Sequence, residues 1–284
     1  MTLRRSLLAL CFIATTIGIA HDAHASRDPE HHGFRIKEPL QFSFTAGVYA
    51  PRLGDGVRFG DGASTRTLDI EDELFLNDRE STFNAELEIF NPEDNWEFFI
   101  GGFAFDAGTT GTFAGAAADF GAVQLNAGDT FSADIEITTL AADFSPLMWW
   151  AVQTEHTHFR FFPNVGVRWM NYEYEIAEVG VNSQTVDEDF IALYVGGGFE
   201  LWHDFPDDFP ILDQLEIDCI VTGGPAFGGD SSFLAQIRGG FTFHFNENFA
   251  AYVGYRLIEP DLEDGSFESD AGLQGMFIGG KLTF

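Results

Sequence analysis

Acidic and basic side chains recur in this chain at the two-residue spacing of an extended strand, and that spacing decides what they could do. Glu86 and Glu88, Asp134 and Glu136, and Glu216 and Asp218 each put two carboxylates on one face of a strand, while Glu97 and Glu200 hold equivalent positions in others. Arg160, Arg168, Arg238, Arg256 and Lys281 supply bases in the matching phase of their own strands. Gathered in one interior, eight acids and five bases would form a network of ion pairs. The excess of acid could instead line a path for cations. Unpaired charge in a narrow interior is costly, so the paired network is the first expectation.

Other constellations are weaker. His156-x-His158 could offer two imidazoles on one strand face, but no third metal ligand is identifiable, and a solvated pair beside a turn explains it more simply. Residues 67–78 are rich in acid, and Asp69, Glu71, Asp72 and Glu73, with Asp55 and Asp61 nearby, could bind Ca²⁺ or Mg²⁺. No EF-hand or RTX spacing supports a dedicated site, so a solvated acidic loop is the default and no cofactor is expected. No G-x-S-x-G or H-E-x-x-H motif occurs, no catalytic residue is identified, and the balance leans away from an enzyme. Cys219 shares an apolar strand face with Leu215, Ile217 and Val221 and reads as a small apolar residue rather than a reactive thiol.

The elements that must position these groups are strands. Apolar residues alternate with polar ones through residues 40–50, 81–90, 96–105, 131–144, 158–171, 190–202, 212–222, 233–245, 249–257 and 271–284. The clearest is the fifth, where Phe159, Phe161, Val165, Val167 and Trp169 oppose Arg160, Asn164, Gly166 and Arg168. Two irregularities stand out: Gly101-Gly102 blurs the phase of the third strand, suggesting a bulge or kink, and the alternation of the fourth slips phase around Thr138-Thr139. Connections of 91–95, 203–210 and 246–248 are short, whereas 51–80, 106–130, 173–189 and 259–270 are longer. Only 145–157 breaks the alternation. With 32 Phe, 31 Gly and few Lys, the composition suits strands with aromatic faces. The expected fold is all-β: a single closed antiparallel up-and-down transmembrane β-barrel of about ten strands. Segments 65–71 and 111–123 could supply or extend strands, which keeps eight and twelve open.

The ends bear on where the barrel resides. Arg4 and Arg5, the apolar run from Ser6 to Ala20 and Ala23-His24-Ala25 form the pattern of a cleaved signal peptide over residues 1–25, with 26–38 a polar periplasmic lead-in and 39–284 the barrel. After that cleavage 12 Lys and Arg would face 44 Asp and Glu, a formal charge of −32 that argues against nucleic acid as a partner. At the other end Met276, Ile278, Gly280, Leu282 and the terminal Phe284 share one face. This pattern resembles the C-terminal assembly signal of bacterial outer-membrane β-barrels, a class that includes small OmpA-like proteins. Thr67 to Asp78 is similar to an acidic Asp-Leu segment found ahead of the second strand in a group of uncharacterised outer-membrane barrel proteins.

The resemblance implies residence in the bacterial outer membrane, insertion by its assembly machinery, and contact with its lipid and lipopolysaccharide, where the acidic loop could bridge to phosphates through Ca²⁺ or Mg²⁺. The leading expectation is a structural or surface-interaction barrel with a largely plugged lumen. A narrow cation-preferring pore for small solutes is the alternative. A third is an outer-membrane hydrolase or lipid A-modifying enzyme.

Overall fold

A computed structural model gives the protein's structure and describes residues 40–60, 64–76, 80–91, 95–206, 211–229 and 232–284. The expected signal peptide and lead-in, Asp61, and Pro92 to Asp94 of the first short turn lie outside these residues.

Ten antiparallel strands form the ring: β1 (Gln41–Gly54), β2 (Thr82–Asn91), β3 (Trp96–Thr112), β4 (Thr130–Ser145), β5 (Thr157–Glu178), β6 (Asn182–Asp204), β7 (Gln214–Phe227), β8 (Ser232–His244), β9 (Phe249–Asp264) and β10 (Gly272–Thr283). Each pairs with its neighbour in sequence, and β1 closes the barrel on β10 from Ser43 opposite Thr283 to Gly54 opposite Gly272. The even count and up-and-down order follow the expectation from strand period. Gly47 and Gly279 face each other at that seam, and a Cβ on either would collide with the neighbouring backbone, so the close approach requires glycine there.

Large apolar residues form the outer belt. On β5 the outward face runs Phe159, Phe161, Val165, Val167 and Trp169. From Phe159 to Trp169 is ten residue steps, ~33 Å along a strand and ~25 Å across a bilayer at ~40° tilt, the height of an apolar band. Above Trp169 the outward residues become Asn171, Glu173 and Glu175, while Met170, Tyr172, Tyr174 and Ile176 turn inward and are buried. Trp169 donates its indole N–H to Asp189 at this boundary (3.0 Å).

β4 repeats the change. Phe131, Ala133, Ile135 and Ile137 are buried inside, and Asp134 and Glu136 are exposed outside. This corrects the assignment of Asp134 and Glu136 to the lumen. The strand keeps one phase throughout; what inverts is its surroundings. Within the bilayer the outside must be apolar, but beyond it the outside meets water and the interior becomes an ordinary protein core. The suspected irregularity at Thr138-Thr139 is therefore the water boundary. Nor does Gly101-Gly102 mark a bulge, since β3 keeps an unbroken register against both β2 and β4.

Strands continuing past the membrane also correct the loop lengths. Residues 173–178 and 182–189 belong to the β5–β6 hairpin, and 259–264 to β9. The long connection at 145–157 resolves differently. Trp149–Gln153 pairs with β5 at His158 to Phe161 and extends the wall where β4 stops beside Pro146, which has no N–H to give. The turn proper is 154–157, closed by Thr154 N–H to the Thr157 carbonyl (2.9 Å).

Over the outer end, Gly56–Phe59, Leu68–Asp69 and Phe267–Ser269 continue the sheet from β9, and a hairpin of Ala118–Phe120 with Val123–Leu125 packs beside them. Val57, Leu68, Phe113, Phe120 and Leu125 join Tyr172, Tyr174, Phe190 and Phe267 in one buried aromatic and aliphatic core. That core occupies the outer part of the barrel interior.

Candidate functional site

Eleven of the thirteen charged residues singled out from the sequence face the lumen at membrane height, Asp134 and Glu136 being the exceptions. At the periplasmic end Arg160 on β5 lies directly opposite Glu200 on β6 and binds it through Nη2 (2.5 Å) and Nε (2.6 Å), with Glu97 at 3.6 Å. Its guanidinium also lies over the rings of Trp202 (4.4 Å), Phe90 (5.1 Å) and Trp150 (5.8 Å). Planar delocalised charge suits both contacts at once. Met148, Phe162 and Ile220 form a small apolar cluster in the same region, with Phe90 against it.

Higher in the lumen, Glu86 on β2 accepts from Arg238 on β8 (2.8 Å) and from Arg256 on β9. Arg238 and Arg256 are direct cross-strand partners. Two like charges so placed repel, and the shared carboxylate offsets this. Arg256 also donates to Asn84 (3.1 Å), Lys281 binds Glu88 (2.7 Å), and Arg168 reaches Thr139 (3.2 Å) and Gln236.

Sequence reasoning missed two further pairs, His158 with Asp204 (3.3 Å) and His244 with Glu216 (3.1 Å). The strand alternation puts His244 on the same face as Arg238 and, carried two residues back from Arg160, puts His158 there too; their partners were what it did not show. His156 and His158 do not act together: His156 is exposed in the turn, whereas His158 begins the inward face of β5 and is buried.

Two cavities of about 30 Å³ each lie among these groups. The lower is lined by Glu86, Glu88, Glu97, Glu200, Glu216 and Asp218 with Arg238 and Lys281; the other by Arg168, Arg238 and Arg256 with Glu86 and Asp143. Glu86 and Arg238 border both, so the lumen is acidic below this pair and basic at and above it.

The acidic loop is folded upon itself. Asp69 Oδ1 accepts from the N–H groups of Glu71 (2.9 Å) and Asp72 (2.8 Å). Glu71 pairs with Arg52 (2.6 Å), and Glu73 takes both terminal nitrogens of Arg66 (2.6 Å each). Arg66 holds the Glu73 carboxyl below its ordinary range, and Glu73 in turn raises the guanidinium. Among the described residues no group of three or more His, Cys, Asp or Glu is arranged to hold a metal ion. Asp69, Glu71 and Glu73 are engaged in the loop's own structure.

A closed ring of ten antiparallel strands, apolar outside and ion-paired inside, defines a transmembrane β-barrel of the bacterial outer-membrane class. No known family profile and no curated protein matches the chain. Solved structures with a similar fold include the outer-membrane protease OmpT of Escherichia coli, with a TM-score of 0.48 and 8% identity over 91% of this chain and 99% of that one. The attachment invasion locus protein Ail of Yersinia pestis gives a TM-score of 0.36 and 10% identity over 87% and 100% of the two chains. The translocator domain of autotransporter NalP from Neisseria meningitidis gives 0.37 and 13% over 99% and 96%. None of these likenesses bears on activity.

Proposed function

We propose that this protein is a structural or surface-interaction barrel of the outer membrane that does not conduct. One observation carries the reading: the lumen is crossed by side chains at several heights. Arg160 with its carboxylates and rings stands at the periplasmic end, Glu86 with Arg238 and Arg256 across the middle, and the aromatic core above. An ion entering would have to break charge pairs in a low-dielectric interior and then cross a packed apolar layer. What faces outward from the membrane is a stable, acid-rich platform of extended strands, which supports a role at the cell surface with the outer-leaflet lipid and lipopolysaccharide as its surroundings. In the same proposal β10, with Met276, Ile278, Gly280 and Leu282 directed to lipid, is the strand read by the assembly machinery.

The six carboxylates around the lower cavity favour a second reading, a narrow cation path. Planar-bilayer recording separates the two. The purified barrel is expected to give no reproducible unitary conductance; steady cation-selective openings would replace the first reading with the second.

A further inference from the structure

The lower cavity carries more negative charge than its neighbours neutralise. Of its six carboxylates, Glu86 is held by Arg238 and Arg256, Glu88 by Lys281, and Glu97 and Glu200 by Arg160. Glu216 meets His244. Six acids thus face four permanent cations and one histidine, one acid more than there are cationic partners. Among the described residues Asp218 has no ion pair, the residue is only 9% exposed, and its Oδ2 is buried with no hydrogen-bond partner.

A second, uncharged group meets it there. Tyr252, 8% exposed, lines the same cavity and its hydroxyl also has no partner. Its position is fixed by two glycines: a Cβ on Gly240 or Gly254 would lie 2.5 Å from the hydroxyl. Gly240 is the direct cross-strand partner of Asp218. The phenol therefore lies over the backbone facing Asp218, and two buried oxygens open into one small space.

We infer that this cavity binds one small monovalent cation, of the sodium or potassium class, with Asp218 as its charge partner and the Tyr252 oxygen as a neutral ligand. About 30 Å³ admits an ion and a water, and no more. Among the described residues no three acids or histidines are grouped to hold a metal ion, so the ligands here are one carboxylate, one phenol oxygen and water, too few charged oxygens for a divalent ion. The bound charge would complete the neutralisation of the network and stabilise the folded barrel by linkage.

The test is to refold the full chain in sodium, potassium or tetramethylammonium chloride at equal ionic strength, tetramethylammonium being too bulky for the space, and to measure the thermal midpoint of the folded barrel. The midpoint is expected to rise by several degrees in the better-fitting alkali ion and to climb with the logarithm of its concentration. In Asp218→Asn the dependence on ion identity should vanish while the midpoint in tetramethylammonium equals or exceeds that of the wild type; Tyr252→Phe, which keeps every charge, should weaken the dependence. Equal wild-type midpoints in all three salts would overturn the inference. So would an ion effect retained in full by both variants, or a midpoint governed by pH and indifferent to the cation, which would identify a proton as the missing charge.

Discussion

Glu86 and Arg238 bind across the lumen at 2.8 Å although their strands, β2 and β8, stand four places apart round the ring. The contact ties opposite walls, and the same carboxylate also holds Arg256. Removing it would leave two buried guanidinium groups facing each other without a counter-charge. Glu86→Ala is expected to cost about 3–5 kcal/mol, as for other broken buried pairs. Urea unfolding of the refolded barrel measures it, and Glu86→Gln, which keeps the hydrogen bonds in part, should fall between. A loss under about 1 kcal/mol would mean that water already solvates the network.

Phe267 tests the upper barrier. It is buried against Tyr174 and Phe190, with ring centres 5.7 and 6.4 Å away. Phe267→Ala should destabilise the outer core by ~3–5 kcal/mol through lost burial and a cavity. Proteolysis of the outer segments should accelerate. The bilayer should nevertheless remain silent, because Glu86 and Arg160 still block the lumen below; channels in this single variant would mean the aromatic core was the only barrier.

How far these features could be read from residue order depends on the solvent outside each strand. At membrane height lipid imposes one rule on every outward position, so Phe159 to Trp169 and Met276 to Leu282 declared both strand and face. Above it the rule reverses without a change of phase. Ala133, Ile135 and Ile137 looked lipid-facing and Asp134 and Glu136 lumenal, because alternation reports two faces but not which is inside. The partners of the lumen charges were beyond reach for another reason. Glu86 and Arg238 are 152 residues apart, and only the closed ring sets them opposite one another. Arg160 and Glu200, by contrast, are register partners in one hairpin, a pairing that local strand matching can anticipate.

The Arg66–Glu73 pair gives the outer loop a dependence on pH. Its folded carboxyl titrates below the usual value near 4.3 because Arg66 hydrogen-bonds it. The folded loop thus binds fewer protons than the unfolded one, and the pair's contribution is present in full above that value and lost as pH falls through the folded pKa. As pH falls from about 5 through and below the ordinary carboxylate range, hydrogen-exchange protection of the Leu74 amide, which donates to the Asp69 carbonyl (3.0 Å), should decline once intrinsic rates are divided out. Glu73→Gln should begin with lower protection and flatten the profile. Identical profiles in the two proteins would assign the effect to other carboxylates.

Outside the membrane, Asp106 on β3 stands opposite Glu136, Glu136 opposite Glu173, and Glu173 opposite Asp187 on β6. All four are exposed, so four adjacent strands carry an unbroken row of like charge. Directly opposed side chains approach to ~5 Å at Cβ, and like pairs there oppose strand pairing by a few tenths of a kcal/mol to about 1 kcal/mol each. Glu136→Lys converts two repulsive neighbours into attractive ones and should stabilise the barrel by about 1 kcal/mol in urea at low salt; Glu136→Gln should give a smaller gain. Both gains should shrink as the Debye length falls from ~10 Å at 0.1 M towards ~3 Å at 1 M salt. No stabilisation by either substitution at low salt would show that water screens the row fully, and that its acids carry no cost the fold must offset.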